Sequence, residues 1–218
     1  MIVSPFPVSL ALPVGGPPRS EGVHVSRLIR GIARETGVLD AKWADDLSLV
    51  EIPGEQEAWW DSLDEASRLR MSIGLAWEDW YVPQLEGVTY HPGEMFVDGV
   101  YMTHDGESLD TLVVEGTSTL CLVLHEVKVT YKSLKTVGDL SSQWMWVAQC
   151  KSYCKGLHCR LAYLHVLFLC GDYKYPISPQ LRCWRLEFTQ AEIDENWELM
   201  VSYLAHRRAM EREEAGLE

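Results

Sequence analysis

Basic residues are scarce in this 218-residue chain: 19 Lys and Arg stand against 32 Asp and Glu, for a formal net charge of −13. Such a deficit argues against a general nucleic-acid coat, because phosphate binding draws on Lys and Arg. Long hydrophobic runs are missing as well. The longest, Leu161 to Cys170, is interrupted by His165 and falls short of the roughly 18–20 residues a bilayer crossing needs. The start carries five prolines before Arg19 and no basic n-region, so it does not read as a signal peptide. Cysteine is absent from the first 120 residues; the six present (121, 150, 154, 159, 170 and 183) crowd the second half. A chain of this length with a good core needs no disulfide staples, so reduced thiols are expected. No repeat, HExxH or Cys/His ladder occurs among the residues. What is abundant is apolar surface: 47% hydrophobic residues, with nine Trp, nine Tyr and four Phe. That is ample to offset the ordering entropy of one domain. The expectation is a Pro/Gly-rich arm over residues 1–22 and a single domain over 23–218, soluble and cytoplasmic.

Charge is unevenly spread. Residues 61–120 hold 2 basic and 12 acidic side chains, and residues 121–160 hold 6 and 2. A carboxylate-rich stretch beside a Lys-rich one suits a cation together with a polyanion, although solvated faces produce the same statistics. Lys132, Lys135, Lys151 and Lys155 form the basic segment, read as phosphate steering.

Local patterns predict helices first. Ser26 is placed to cap a helix over Arg27 to Glu35 with Gly37 as its stop, and Pro53-Gly54 marks a turn. Asp64 caps a helix running to about Tyr81, with Leu69, Ile73, Ala76, Trp77 and Trp80 at the spacing of a buried stripe. From Val88 the texture becomes short β-branched segments: 88–90, 94–97, 100–103, 111–114 and 120–130, with a turn over 115–118. A helix over about 141–155, strands over 160–170 and 182–188, and a last helix from Thr189 to about Ala209 complete the order. Thr189 with Glu192 forms a capping box. The class is α/β, with a mixed central sheet flanked by helices.

The residues that carry chemistry sit in this order. His125-Glu126-Val127-Lys128 interrupts the apolar segment CLVLHEVKVT. Strand alternation puts Glu126 and Lys128 on one face and His125 and Val127 on the other. Asp105-Gly106 follows the GVYMT segment, Glu78 lies in MSIGLAWEDWY, and Gln149 and Tyr153 are spaced i, i+4 on one helix face.

Taken together, Gly74-x-x-x-Glu78, Asp105-Gly106, Glu126-x-Lys128 and Gln149-x-x-x-Tyr153 resemble the PD-(D/E)xK nuclease superfamily. The likeness is greatest to its branch of lambda-type exonucleases, RecB-type nuclease domains and Cas4. It spans roughly residues 64–188. His104-Asp105-Gly106 replaces the usual Pro-Asp-Gly, and the long stretch before Glu126 leaves Asp110 as an alternative to Asp105. The resemblance implies a restriction-endonuclease-like core and a Mg²⁺-dependent deoxyribonuclease, Mn²⁺ substituting, that acts as an exonuclease in phage-type recombination or DNA processing. It implies metal ligation by Asp105, Glu126 and the Val127 carbonyl, with Glu78 holding a coordinated water or a second ion. Lys128 would stabilise charge at phosphorus, and Gln149 would orient it. Tyr153 would touch the DNA backbone or brace its helix. DNA is the implied partner; a recombination or replication protein and a homo-oligomer remain open, and no membrane is implied. A catalytically silent module on the same fold is the alternative. Cys150, Cys154, Cys159 and His158 invite a metal reading, but Cys121 falls inside the core, unlike the Cas4 cluster pattern, and packing is the preferred role. Trp144 and Trp146 are open to base stacking or core packing.

Overall fold

The computed structural model describes residues 20–38, 50–51, 60, 63–114, 116–137, 140–214 and 216. Pro53-Gly54 and most of the leader lie outside the described residues. The end of the leader is built into the fold. Ser20 donates its N–H to Glu94, and strand β1 is Gly22–His24. Helix α1, Val25–Glu35, follows without a linker, so His24 occupies the cap position and makes no capping bond with its side chain. The expected cap, Ser26, is already inside the helix. The His24 ring is instead held by the Ser20 carbonyl at 2.8 Å.

Strand β2 is Val50–Glu51, and helix α2 is Glu65–Tyr81. Asp64 caps α2 through the Ser67 N–H, as the sequence predicts. The predicted buried stripe does not materialise: no residue of α2 is buried, Leu69 is 43% exposed and Trp80 60%. Its aromatics pack largely on one another, Trp77 against Trp80 and Tyr81 at 5.2 and 4.9 Å.

Strands β3 (Thr89–Tyr90), β4 (Glu94–Val97), β5 (Val100–Thr103), β6 (Gly106–Val114) and β7 (Thr117–Thr130) follow. β6 starts five residues earlier than the pattern indicated, at Gly106. Gly106 is required by close approach, since a Cβ there would meet Val88 at 2.8 Å and Val82 at 3.0 Å. The β6–β7 hairpin closes with Val114 opposite Thr117. Gly116, at φ +79°, supplies the left-handed backbone that such a tight turn demands.

Helix α3, Trp144–Leu157, ends on His158, which takes the left-handed cap conformation and is exposed. Strands β8 (Leu161–Phe168) and β9 (Gln180–Glu187) lead to helix α4, Gln190–Glu214. Its capping box is formed, with Glu192 accepting from the Thr189 N–H and Thr189 accepting from the Glu192 N–H.

Two sheets result. One has the order β2-β1-β5-β4 and the other β3-β6-β7-β8-β9. In the larger sheet β7 and β8 are parallel, joined across α3, and the remaining pairings are antiparallel. Leu124, Ala162, Leu164, Val166 and Phe168 share one face and form the main core with α1, α3 and α4. The six cysteines are free thiols, and Cys150, Cys154 and Cys159 are buried. Among the described residues no helix is long and apolar enough to cross a membrane.

Candidate active site

The β6–β7 ladder starts at Gly106 opposite His125. One step beyond it, the antiparallel register sets Asp105 opposite Glu126, on the same face of the sheet. Past that point β7 has no β6 beside it. The freed Val127 N–H donates to Asp105 Oδ2 at 2.7 Å. In an extended strand the N–H and C=O of one residue leave on the same edge, so the Val127 carbonyl faces this side too. Lys128 donates to Glu126 Oε1. The second oxygen, Glu126 Oε2, is buried with no hydrogen-bond partner, and the residue is 1% exposed. Asp110, five residues on, lies on the opposite face, where it accepts from the Tyr163 hydroxyl at 2.6 Å.

Asp105, Glu126, Val127 and Lys128 line a cavity of about 300 Å³ together with Glu78 of α2 and Gln149 and Tyr153 of α3. All the residues singled out for catalysis or metal binding therefore reach one space. Glu78 Oε1 is 2.8 Å from His91 Nε2. Gln149 donates to the Tyr153 hydroxyl at 2.8 Å. Tyr153 is only 3% exposed, and its burial fits bracing of α3 better than an open contact with a DNA backbone.

The charges in this cavity hold one another in unusual states. Burial, reinforced by the charge of Asp105, pushes the Glu126 carboxyl up to about 8, with Lys128 opposing the shift. Burial also raises Asp105, against the pull of Lys128 and of the Val127 N–H. Burial works against the Lys128 ammonium, but Glu126 and Asp105 together outweigh it and hold its pKa above the ordinary value. Lys128 is therefore a persistent cation, while two carboxylates compete for too little positive charge.

A hard divalent cation fits that deficit. Carboxylate oxygens are its preferred donors, and Glu126 Oε2 is a buried acceptor that nothing else satisfies. Among the described residues no three His, Cys, Asp or Glu side chains already converge as a ligand cluster. The reason is visible in the contacts. Glu126 turns one oxygen to Lys128, Asp105 to a backbone N–H, and Glu78 to His91. Each carboxylate has found a substitute for a cation.

The four lysines read as phosphate steering lie outside the cavity lining, and Lys155 pairs with Asp194 at 2.7 Å. Lys132 donates to Gln143 at 2.7 Å and sits 5.6 Å from the Trp146 ring centre. Lys135 is exposed, and Lys151 lies over Phe188. Trp146 itself lines the cavity. Sequence reasoning missed Ser26 and Arg30, which α1 brings to the cavity wall, and His91 beside Glu78. Ser26 and Arg30 are four apart on one helix face, but nothing in their spacing distinguishes that face from a solvated one. His91, with φ +45°, adopts a backbone unusual for a side-chain-bearing residue, which no local pattern announces.

The chain is similar in structure to an alkaline exonuclease, LHK-Exo from Laribacter hongkongensis. The TM-score is 0.50 at 14% identity, over 89% of this chain and 94% of the other. LHK-Exo in complex with dAMP gives a TM-score of 0.48 at 14% identity over 89% and 93%, and SSO0001 gives 0.43 at 11% over 86% and 78%. No protein-family model matches the chain, and no curated protein matches it by sequence. The fold is thus α/β, with mixed sheets flanked by helices, similar to that of the alkaline exonuclease.

Proposed function

We propose that this protein is a divalent-metal-dependent deoxyribonuclease that hydrolyses phosphodiester bonds as an exonuclease in DNA processing. The observation that carries this reading is the buried, unpartnered Glu126 Oε2, set opposite Asp105 and beside the Lys128 ammonium. The fold shared with an alkaline exonuclease supports it.

Asp105, Glu126 and the Val127 carbonyl would hold the ion, with Glu78 within the same cavity. Mg²⁺ or Mn²⁺ there would supply Lewis acidity toward a phosphate oxygen and a more acidic water. The chain's own contribution is electrostatic and positional. Lys128, charged throughout the neutral range, offers donors to a phosphate oxygen on which negative charge grows. Asp105 tethers the edge of β7 through the Val127 N–H and so helps hold the backbone that carries Glu126 and Lys128. Gln149, tied to Tyr153, lines the same cavity and would orient Lys128 or the attacking water. The reaction is direct hydrolysis, with no nucleophilic side chain required.

The test is degradation of linear, nicked and single-stranded DNA in Mg²⁺ or Mn²⁺. Wild-type protein is expected to cut, and Lys128→Ala and Glu126→Gln to lose the activity while remaining folded. A wild type that cuts none of these with either metal refutes the reading.

A further inference from the structure

A second concave surface is built on the same two elements, α2 and β7, that contribute to the cavity. It is a groove of about 480 Å³ lined by Ala66, Leu69 and Arg70 of α2 and by Thr130, Tyr131 and Lys132 at the end of β7. We propose that this groove is the track for a single nucleic-acid strand entering or leaving the cavity, a proposal that rests on the nuclease reading and specifies how its substrate is held.

The same two elements build both surfaces. β7 places Lys128 in the cavity and Thr130 in the groove, two residues or about 6.6 Å further along. α2 places Glu78 in the cavity and Arg70 in the groove, eight residues or about 12 Å apart. Those spans cover about two to four nucleotides at stacked spacing. Trp146 links the two, since it lines the cavity and carries the Lys132 ammonium over its ring.

The chemistry selects a polyanion with flat apolar groups. Arg70 of α2 and Lys132 at the end of β7 both line the groove, and among the described residues neither forms an ion pair with a carboxylate. Lys132 uses one donor on Gln143 and keeps others for a phosphate. Tyr131 is 40% exposed with the Arg70 guanidinium 5.9 Å from its ring centre, and Leu69 is 43% exposed beside it. Aromatic and aliphatic surface between two cations serves a base and its flanking phosphates. An acidic peptide would use the cations but leave the aromatic floor idle.

The experiment is fluorescence anisotropy of a labelled single-stranded oligonucleotide, on the full chain carrying Glu126→Gln, in EDTA from 50 to 200 mM salt. Arg70→Glu and Lys132→Ala are each expected to weaken binding at least tenfold at low salt and to reduce the slope of log K against log salt by about 0.7. Tyr131→Ala should weaken binding about fivefold or more without changing the slope, and Tyr131→Trp should restore it. Wild-type affinity and slope in all these variants overturn the proposal. So does heparin competing as well as DNA with no response to Tyr131→Ala, which marks a generic anion patch. Cleavage by the unsubstituted chain is scored separately. A protein that cuts DNA while the variants bind normally loses the groove and keeps the nuclease reading; one that binds through the groove and cuts nothing does the reverse.

Discussion

Residues 125 and 126 are neighbours on β7, and both are buried, but they face opposite sides of the sheet and meet opposite fates. On the His125 side the polar groups form a closed chain. Ser108 bonds His125 Nε2 at 2.9 Å, His125 Nδ1 bonds His165 Nε2 at 3.1 Å, and His165 Nδ1 bonds the Tyr81 hydroxyl at 3.0 Å. Each ring nitrogen has a partner, and burial holds both histidines down to about 4, neutral under ordinary conditions. On the Glu126 side the account stays open: an unpartnered oxygen and a carboxyl raised to about 8 sit beside a cation. Burying a polar group is tolerable when it is hydrogen-bonded and costly when it is not. The histidine chain therefore explains itself as structure, whereas Glu126, unsatisfied beside an ammonium in a cavity, suits a ligand.

The contrast breaks most sharply through Lys128. Lys128→Ala should reduce DNA cleavage by on the order of 10³-fold, the cost of removing one preorganised charge donor, as measured by initial rates in Mg²⁺. A drop of less than tenfold would make the Glu126 side as inert as the other.

Acid should act on the histidine side. A histidine whose folded pKa lies below its unfolded value near 6.5 stabilises the protein above that pH, and the stabilisation is lost as pH falls through about 4. Urea unfolding of metal-free Glu126→Gln, which lacks the oppositely signed titration of that carboxyl, should lose on the order of 3 kcal/mol per histidine between pH 6.5 and 4. The dependence should flatten in His165→Phe. An equal slope in that variant would show that the pair is not what resists protonation.

Metal should act on the other side alone. Mg²⁺ or Mn²⁺ at a hundred times its dissociation constant should stabilise the wild type by about 2.7 kcal/mol, read as a rise in Tm that EDTA reverses. Glu126→Gln should abolish the rise and His165→Phe should leave it intact. The smallest effect belongs to the outer surface of α2. Ile73→Ser should cost more than Leu69→Ser, which at 43% exposure should stay within about 0.5 kcal/mol in urea unfolding. A larger loss at Leu69 would restore the buried stripe that periodicity predicts.

Much of the candidate site was legible because it is written in local periods. Alternation put Glu126 and Lys128 together, helical spacing put Gln149 next to Tyr153, and the capping pattern at Thr189 and Glu192 needed only four residues. Asp105 was preferred to Asp110 for its glycine and its place after GVYMT, but which of the two shares a face with Glu126 depends on strand register, and an odd offset in register exchanges one face for the other. The exposure of Leu69 and Trp80 was hidden for a related reason: periodicity reports that a helix has an apolar side, not what covers it.

By itself, the sequence determined which side chains share a face within each element, since backbone geometry repeats every two or 3.6 residues whatever surrounds it. Only the tertiary structure decided which faces meet. Glu78 beside His91, Ser26 and Arg30 at the cavity wall, and Arg70 across from Lys132 all join separate segments of the chain. Such meetings are set by packing and register over the whole sheet, a cooperative outcome that no local pattern encodes.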